Sequence, residues 1–501
     1  MKTFKLGGVH PAANKLSDKA PIELAAVPSL VAIPMAQNLG APSKAVVAKG
    51  DKVKVGTVIG EPGGFLSSFI HSSVSGTVEK VDFVEDATGR RVPAVFIKVE
   101  GDEWEESIDR SKDIVKEIKL EKQEIIDRVK ACGIVGMGGA TFPTQVKLAP
   151  PPTAKPECVI INAVECEPYL TSDHSLMLAH PEEILIGVQI LEKAMGVKKA
   201  YVGIEANKPD AIKLMTETAK KGFPEIEIVP LQLKYPQGGE KQLINAVIGK
   251  EVPSGGLPIM TGALVQNVGT AFVVYEAVQK NKPLIERIVT VTGKSVKKPS
   301  NFQARIGVPI QQLIEAAGGL PEDTGKVISG GPMMGKAMPD TNSYMVKGCS
   351  GILIMKNEEA RRRDASPCIK CGKCVHACPM GLQPNFLSRY SELGMLAEAE
   401  EERIYDCIEC GSCMFTCPAN RPLLDWIRQG KPKVMGILRQ RAADAKAKAD
   451  AERAAAEAAR KAKEAEAEAA EHHAKTEETH ADVNEHLMKQ SGPMPEDAAK
   501  K

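Results

Sequence analysis

The sequence predicts a multidomain α/β fold, and three patterns in it support that prediction. Residues 30–100 alternate apolar and polar positions between turn residues, as short strands do. Residues 120–280 alternate helical stretches with apolar runs, which indicates an α/β layer with a mostly parallel sheet. Two cysteine-rich runs follow toward the C-terminus. At 501 residues, the chain is long enough for about three domains.

The composition excludes several classes of protein. Lys and Arg number 65 against 64 Asp and Glu, so the net charge is +1 and no basic field predicts a nucleic-acid partner. No stretch reaches the roughly 20 apolar residues of a membrane-spanning helix, and the N-terminus lacks the apolar segment of a secretory signal. We therefore expect a cytoplasmic chain, in which 12 cysteines indicate metal or redox chemistry rather than disulfides.

The first domain is predicted over residues 1–110 as a small β domain. Residues 45–59 alternate around Gly50-Asp51, a hairpin-like turn, and residues 75–82 predict a second strand. The pair resembles the half-motifs of a biotinyl/lipoyl-type barrel-sandwich domain. The chain lacks the lysine-bearing attachment turn of a true carrier, so we expect a structural domain rather than a swinging cofactor arm.

An α/β domain is predicted over residues 111–284 and a smaller module over 285–355. In the first, helices are expected at 125–132, 182–194 and 210–220, and strands at 158–164, 200–204 and 226–230. In the second, segments 287–293, 307–318 and 326–330 form a strand–helix–strand unit. This unit resembles a β-grasp module of the soluble-ligand-binding type.

The strongest signal is a cysteine pattern that occurs twice. Both runs read C-x₂-C-x₂-C-x₃-C-P, the bacterial pattern for [4Fe–4S] ligation, in which the fourth cysteine serves the other cluster. Zinc is the alternative, but zinc sites usually pair two C-x₂-C units across a long gap and use four ligands. The pattern therefore predicts two clusters, one held by Cys368, Cys371, Cys374 and Cys417 and the other by Cys407, Cys410, Cys413 and Cys378.

The surroundings of the two runs predict a helical domain over residues 356–430. Between the runs, Phe386, Tyr390, Leu393 and Leu396 recur at helical spacing, which we interpret as a packed helix and hence an α-helical dicluster domain. The other four cysteines do not share the pattern. They are expected to be buried structural thiols, namely Cys132, Cys158, Cys166 and Cys349.

The C-terminal residues 431–501 have a different composition. Residues 442–475 contain only Ala, charged residues and His, which predicts a solvated helix of about 50 Å. It could serve as a partner-binding arm. Residues 476–501 are predicted to be disordered.

A glycine-rich stretch from Gly136 to Lys147 is the second informative motif. Clustered glycines let backbone amides approach a phosphate or a flat ring without clashes from Cβ atoms. The stretch departs from the dinucleotide fingerprint because a helix, and not a strand, precedes it. Taken alone, it is equally compatible with a plain loop between packed elements.

Four segments in order carry a family resemblance. Residues 136–147, 161–168, 235–240 and 267–270 are similar to the flavin- and NADH-binding segments of the flavin subunit of respiratory complex I. Together with the barrel-sandwich hybrid, the β-grasp unit and the cysteine runs, residues 1–430 resemble RnfC, the NADH-facing subunit of the Rnf (Rsx) electron transport complex. The Ala/Lys/Glu-rich tail resembles the variable extension of some members.

The resemblance implies a Rossmann-like α/β domain that binds noncovalent FMN and takes NAD(H) as substrate. It implies an SLBB-like β-grasp module and a place on the cytoplasmic side of the inner membrane, peripherally bound to the other Rnf subunits. Where the complex I subunit has an Asp, this chain has Val164. The implied site residues are, for phosphate, ring edge and flavin, Gly136, Gly138, Gly139, Phe142, Lys147, Asn162, Asn267 and Thr270, and for the nicotinamide side Glu165, Glu167, Tyr235 and Glu240.

The implied function joins two-electron and one-electron chemistry. Hydride carries two electrons together, whereas an iron–sulfur cluster accepts one, and a flavin handles both. The expected role is electron exchange between NAD(H) and ferredoxin, coupled to ion translocation by the complex. Two other interpretations stay open at this stage: a dicluster relay that binds no nucleotide, and the diaphorase part of a soluble hydrogenase or formate dehydrogenase.

Overall fold

The computed structural model describes residues 1–490 and residue 492. The chain divides into two units, Met1–Gly430 and Lys431–Lys501. The first unit contains four β-sheets and the cysteine runs. The second is built on a single long helix.

The first module consists of two small sheets, with strand orders β2-β8-β7-β4 and β3-β5-β6. Val31, Ile33, Ile59 and Ile97 are among the side chains that form its core. The hairpin predicted around Gly50-Asp51 is wrong, because the strand before the turn pairs with β5 and the strand after it pairs with β7 in the other sheet. Its strands are β2 (Leu30–Pro34), β3 (Lys44–Ala45), β4 (Lys52–Val53), β5 (Val58–Glu61), β6 (Ile70–His71), β7 (Gly76–Glu85) and β8 (Arg91–Val99), and the preceding strand β1 (Ile22–Leu24) joins a different sheet.

The α/β domain has a parallel sheet, as predicted, and its strand order is β11-β10-β9-β12. Helices cover this sheet, and Ile161, Val188, Val202 and Val274 belong to the main core of the chain. The elements are α1 (Lys122–Ala131), α2 (Thr144–Leu148), β9 (Cys158–Ala163), α3 (Ser172–Ala179), α4 (Pro181–Met195), β10 (Ala200–Glu205), α5 (Pro209–Gly222), β11 (Ile226–Leu231), α6 (Glu240–Ile248), β12 (Ala263–Asn267) and α7 (Val268–Lys280), with a 3₁₀ turn at Pro258–Thr261.

A third region forms a six-stranded mixed sheet of order β1-β14-β13-β17-β15-β16. The predicted strand–helix–strand unit is present, and the N-terminal β1 adds to its edge in parallel with β14. Phe302, Leu313 and Ile352 lie in its core. The elements are β13 (Glu286–Thr292), β14 (Ser300–Arg305), α8 (Ile310–Ala316), β15 (Thr324–Ser329), β16 (Lys336–Ala337) and β17 (Gly351–Lys356).

Residues 1–15 form an N-terminal arm that lies on the α/β domain. Lys2 bridges to Leu231, and Val9 exchanges two backbone hydrogen bonds with Tyr235. Lys15 donates hydrogen bonds of 2.6–3.0 Å to the carbonyl oxygens of Glu165, Glu167 and Leu170. The arm therefore fixes the loop that follows β9.

The cysteine runs lie in a helical region, as predicted. One detail of that prediction is wrong: Phe386 and Leu393 are about half exposed, whereas Leu387 is fully buried, so the packed face is rotated from the one assumed. The helices are α9 (Asn357–Ala360), α10 (Lys373–Ala377), α11 (Pro384–Leu393), α12 (Leu396–Glu401) and α13 (Ser412–Phe415), with a 3₁₀ turn at Ile404–Asp406.

The last element is α14, a helix from Leu423 to Gln490. Its residues from 441 to 490 are exposed, which agrees with the predicted solvated helix. The prediction of disorder from residue 476 onward is wrong for residues 476–490, which are helical. Helix-forming Glu, Lys and Ala residues continue into this segment. Residues 491 and 493–501, which that prediction also covered, lie outside the described residues. Among the described helices, none combines the length and apolar character that a bilayer crossing needs.

Candidate functional site

The two cysteine runs fold into the same loop. Lys370 and Glu409 occupy equivalent positions with φ of 56° and 55°, and Gly372 and Gly411 follow with φ of 73° and 79°. This left-handed backbone is unusual for a non-glycine residue and winds the chain tightly. A short helix then begins in each run, α10 in the first and α13 in the second.

Neighbouring thiols fall into two groups that cross between the runs. Burial raises the pKa of Cys374, and the neighbouring thiol of Cys417 adds to that rise. Burial also raises the pKa of Cys413, and the thiols of Cys407, Cys410 and Cys378 add to it. A small cavity is lined by the same four cysteines, 378, 407, 410 and 413. The fourth cysteine of the first run therefore lies with the first three of the second.

The two groups differ in their exposure to solvent. Cys368 and Cys371 are exposed, whereas Cys378, Cys410 and Cys413 are buried. Within residues 1–490, no three His, Cys, Asp or Glu side chains converge in a way that would hold a single metal ion. A cubane cluster does not need such a point, because each of its four thiolates binds a different iron. Four thiols around one cavity thus fit a [4Fe–4S] cluster better than a zinc ion.

Tyr235 joins the α/β domain to the second cysteine loop. Its hydroxyl donates a 2.8 Å hydrogen bond to the carbonyl oxygen of Cys410, and its ring packs with Val9 and Ala377. Glu167 lies beside it and accepts hydrogen bonds from the backbone amides of Met333 and Met334. Burial raises the pKa of Glu167 to about 7.

Tyr235 and Glu167 are thus placed between the α/β domain and the second cysteine loop. Only 2% of the surface of Tyr235 is exposed. Cys166, which was predicted to be buried, lies nearby and is half-buried. Its Sγ accepts a 3.3 Å hydrogen bond from the amide of Gly238. The other three thiols expected to be buried, Cys132, Cys158 and Cys349, are buried.

The glycine-rich stretch forms a loop whose residues 138–140 are exposed, and it continues into α2. The amide of Gly136 donates to the carbonyl of Phe142, and the amide of Met137 donates to Thr270 Oγ1 at 3.0 Å, which fixes the base of the loop. A Cβ at Gly138 would lie 2.5 Å from Asn267 Nδ2, so a side chain at this position would displace the Asn267 amide. A Cβ at Gly139 would meet nothing within 4 Å, so its bare backbone faces open space.

Asn162 and Asn267 lie side by side at the carboxyl edge of the parallel sheet. They are partners in the register of β9 and β12, and this edge is where open α/β sheets bind ligands. The side chain of Asn162 donates to Gly238 O at 2.7 Å. Lys147 pairs with Glu240 at 2.8 Å and donates to Val265 O. These residues, predicted from four separate segments, are brought together.

Glu165 has a role that the sequence did not indicate. Its carboxylate accepts hydrogen bonds from the amides of Asp173 and His174 and from the Ser172 hydroxyl, so it caps the first turn of α3. Val164 lies in the apolar core. The carboxylate nearest Asn267 is instead that of Asp173, at 2.8 Å from Asn267 Nδ2.

Asp173 is therefore a candidate site residue that the sequence patterns do not indicate. Burial, and then the neighbouring Glu165, raises the pKa of its carboxyl group. Its signal in the sequence is weak, because an Asp in the first turn of a helix is ordinary. Only the fold brings it to the edge of the sheet.

Two buried cations from the mixed-sheet region donate hydrogen bonds to backbone carbonyls in or just before the glycine loop. Arg287 donates to the carbonyl oxygens of Met137 at 3.2 Å and Lys347 at 2.5 Å. Lys347 donates to the carbonyl oxygens of Phe69 and Gly133, and burial lowers its pKa to about 7. The loop is thus held both from within the α/β domain and from the mixed-sheet region, which favours a fixed cradle.

The residues present fit a flavin mononucleotide. Bare glycine backbone, a lysine and two amide side chains surround the sheet edge, and these supply donors for a phosphate and for ring oxygens. The eight cysteines of the two runs fit two [4Fe–4S] clusters. Both groups of residues lie within the first unit of the chain.

Four family models match the chain in the predicted order. The RnfC barrel sandwich hybrid domain matches residues 2–102 and the Nuo51 FMN-binding domain matches residues 129–276. The SLBB domain matches residues 288–337, and the 4Fe-4S dicluster domain matches residues 360–418. The predicted succession of folds is confirmed, and with it the FMN-binding and iron–sulfur character of the second and fourth domains.

Curated relatives cover almost the whole chain. A subunit of the proton-translocating ferredoxin:NAD(+) oxidoreductase complex of Clostridium ljungdahlii is 45% identical, with 90% of this chain and 96% of that protein aligned. A subunit of the Na(+)-translocating ferredoxin:NAD(+) oxidoreductase complex of Acetobacterium woodii is also 45% identical, over 87% and 98%. A subunit of the ion-translocating oxidoreductase complex of Rhodobacter capsulatus is 40% identical, over 87% and 84%.

Among solved structures, an NAD⁺-reducing [NiFe]-hydrogenase chain gives a TM-score of 0.45 at 20% identity, with 62% of each chain covered. That likeness is weak beside the curated relatives. Their identity and coverage, together with the RnfC domain match, confirm the resemblance seen in the sequence: this chain belongs to the RnfC family of subunits of the ion-translocating ferredoxin:NAD⁺ oxidoreductase complexes.

Proposed function

We propose that this chain is the electron-input subunit of a membrane-bound complex that couples electron transfer between NAD(H) and ferredoxin to ion translocation. The observation that supports this most directly is the junction of an FMN-binding domain with the buried cysteine group, through Tyr235 and Cys410. FMN supplies the exchange between hydride and single electrons. The relatives whose names specify this reaction align over nearly their whole length.

The proposed cluster ligands follow the two thiol groups. We assign Cys407, Cys410, Cys413 and Cys378 to a buried cluster beside the α/β domain. Cys368, Cys371, Cys374 and Cys417 hold an outer cluster. The cavity lined by cysteines 378, 407, 410 and 413, and the effect of Cys417 on Cys374, support this crossed assignment. Electrons from the flavin side would reach the buried group first.

The proposed flavin site is the cradle at the edge of the sheet. Gly138 and Gly139 present the exposed backbone of the loop, and Gly136 and Phe142 close its base through their backbone hydrogen bond. Lys147, held by Glu240, supplies a cation for the phosphate or ring edge. Asn162, Asn267 and Thr270 would supply amide and hydroxyl groups to the flavin.

Of the four residues that the resemblance assigns to the nicotinamide side, we propose that only two line it. Glu240 and Glu165 line the same edge, Glu165 by fixing the N-terminus of α3. For Tyr235 and Glu167 we propose a positioning role instead, because their polar atoms bind the backbone of the cysteine loop and of residues 333–334. They hold the buried cluster against the flavin domain.

The proposed setting is the cytoplasmic side of the inner membrane, with the chain bound peripherally to other subunits of its complex. The relatives are named as subunits of ion-translocating complexes, and the NAD(H) pool is cytoplasmic. The domain limits proposed from the sequence are 1–110, 111–284, 285–355, 356–430 and 431–501. The ranges of the four family models lie within them.

The proposed function is tested by anaerobic reduction of the purified, iron-reconstituted chain. After FMN is added, NADH should bleach the flavin absorbance and then reduce iron–sulfur clusters detected by electron paramagnetic resonance. If the clusters assemble but flavin is neither bound nor bleached, the chain is a relay and the dehydrogenase function is refuted. Bleaching without any effect on the clusters would refute the proposed route.

A further inference from the structure

We propose that the first module is part of the dinucleotide site, and that its Phe65 stacks on the adenine ring of the substrate. Phe65 lies on residues 62–69, which join β5 to β6 and which we call the β5–β6 loop. The inference rests on the proposed function, which makes NAD(H) the substrate. It goes further by giving a β module that looked purely structural a role in binding, and by naming the residue and the half of the dinucleotide concerned.

The β5–β6 loop is fastened to the helix that follows the glycine loop. Gln145, on α2, donates a 3.1 Å hydrogen bond from its side chain to the carbonyl oxygen of Ser67. Gln145 is buried, and the amide of Gly63 in turn donates to Ser67 Oγ at 3.0 Å. The position of the β5–β6 loop is therefore set by the α/β domain as well as by its own module.

A neighbouring turn of the first module binds the glycine loop itself. The amide of Leu39 donates to the carbonyl oxygen of Thr141 at 3.1 Å. Two residues later, the amide of Ala41 donates to the carbonyl oxygen of Leu66 at 2.9 Å. Because Leu66 directly follows Phe65 in the sequence, this turn connects Phe65 to the glycine loop.

The far end of the β5–β6 loop is fixed to the start of the same stretch. Lys347 donates to the carbonyl oxygens of Phe69 and Gly133, at 2.8 and 2.7 Å. A Cβ at Gly133 would lie 2.2 Å from the Phe69 oxygen, so the two backbones are in direct contact. The β5–β6 loop is thus held at three points against residues 133–145.

Phe65 is the exposed aromatic side chain on this anchored loop. Its surface is 85% exposed, and Leu39 on the attached turn is 47% exposed. Single exposed apolar residues are common on protein surfaces. Here, however, two of them lie on adjoining segments beside a cradle of bare glycine backbone, and apolar and aromatic side chains are the usual lining of a small-molecule site. A flat apolar ring in that place is suited to stacking on a planar ligand.

NAD(H) has two flat rings, and the position of Phe65 favours the adenine. Hydride transfer requires the nicotinamide to lie against the flavin, which we place at the edge of the sheet. Gly138 contacts Asn267 at that edge, whereas Thr141, farther along the loop, contacts the first module. The ring that does not react is therefore the one near Phe65, and aromatic side chains stack on the face of any nucleic base.

The test measures binding separately from hydride transfer. The anaerobic full chain, loaded with FMN and both clusters, is titrated calorimetrically with ADP-ribose, which contains the adenine but no nicotinamide. The rate of flavin bleaching is then measured at saturating NADH. The variants are Phe65→Ala and Phe65→Tyr. The matched control is Phe83→Ala, which truncates a half-exposed phenylalanine on β7, in the other sheet of the same module.

We expect Phe65→Ala to weaken ADP-ribose binding about tenfold, because it removes a stacking partner of the base. The affinity for FMN and the bleaching rate at saturating NADH should stay unchanged, since the contact is distant from the reacting ring. Phe65→Tyr keeps the ring and should bind normally, as should the control. Melting temperatures confirm that each variant is folded.

The possible failures are distinguishable. Unchanged ADP-ribose affinity in Phe65→Ala would overturn the inference and indicate that another protein covers this ring, while the proposed function would stand. A lower bleaching rate with unchanged ADP-ribose affinity would place Phe65 at the nicotinamide and also overturn it. If NADH never bleaches the flavin, the dehydrogenase function fails, yet a selective loss of ADP-ribose binding in Phe65→Ala would still support the adenine contact. An unaltered chain that binds no ADP-ribose would overturn the adenine site outright.

Discussion

The hydroxyl of Tyr235 donates a 2.8 Å hydrogen bond to the carbonyl oxygen of Cys410. The donor belongs to a loop of the α/β domain and the acceptor to the second cysteine loop, and both residues are buried. Val9 of the N-terminal arm binds the backbone of the same tyrosine. Tyr235 therefore holds three parts of the chain together, and it lies beside the proposed buried cluster.

Replacing this tyrosine should loosen the buried cluster without removing it. Tyr235→Phe leaves the ring in place but removes the donor to the Cys410 carbonyl, and an unsatisfied buried group costs about 1–3 kcal/mol. We expect full iron content but about tenfold faster iron loss to a chelator from half of the iron. Tyr275→Phe, which removes the hydroxyl that accepts a hydrogen bond from the Val115 amide in the α/β domain, is the control and should leave the rate unchanged. Equal rates in all three proteins would contradict the positioning role.

The crossed ligand sets predict a specific pattern of iron loss in paired substitutions. Cys368→Ala and Cys417→Ala belong to different runs but to the same cluster, so the double variant should lose about half of the iron, as each single variant does. Cys368→Ala with Cys378→Ala lie in the same run but in different clusters, and this pair should lose nearly all of it.

Iron and acid-labile sulfide analysis of anaerobically purified protein measures these losses. Cys132→Ala is the control, because that thiol is buried in the core of the α/β domain and should be dispensable for iron. Ligation within each run would give the reverse pattern, with half of the iron kept in the Cys368/Cys378 pair.

Features with a local cause were predictable from the sequence. The cysteine spacing is imposed by the cluster, and the order of strands and helices follows from apolar periodicity. The parallel sheet order then brings Asn162 beside Asn267, although 104 residues separate them along the chain. The segments were identified only through their resemblance to a family, because no local rule connects them.

Features that depend on packing between distant segments were not predictable. The turn at Gly50-Asp51 has the residues typical of a hairpin. The strands on its two sides nevertheless belong to different sheets, because the one before it pairs with β5 and the one after it pairs with β7. The capping role of Glu165 and the place of Asp173 arise only once α3 is docked. The contact between Tyr235 and Cys410 joins residues 175 positions apart, and neither residue signals it.

Gly139 offers a direct test of the flavin cradle. Gly139→Ala adds a Cβ that meets no protein atom within 4 Å, so the fold should tolerate it. If the backbone at this position approaches FMN, the added methyl group should weaken FMN binding about tenfold or more, which fluorescence titration measures. Gly222→Ala at the end of α5 also meets nothing within 4 Å and should bind FMN normally. Normal FMN affinity in both variants would place the flavin elsewhere.

A buried carboxyl group on α4 predicts a pH dependence of stability. Glu192 is 5% exposed, and burial, followed by the nearby Glu225, raises the pKa of its side chain to about 7. Because the folded pKa lies above the reference value of 4.5, the folded state binds the proton more tightly than the unfolded chain does. Its contribution to stability is therefore fully present below about pH 4.5 and is lost as the pH rises through about 7.

Replacing this carboxyl group with a neutral amide should remove that loss. Glu192→Gln should melt a few degrees higher than the unaltered chain at about pH 8, where the buried carboxylate would be ionised, and show no gain at about pH 5. Melting temperatures taken at one scan rate measure this, since a chain with bound clusters unfolds irreversibly. The exposed Glu217 on α5 provides the control, Glu217→Gln, which should change neither value. A gain of equal size at both pH values would mean that packing, and not the charge of Glu192, determines the effect.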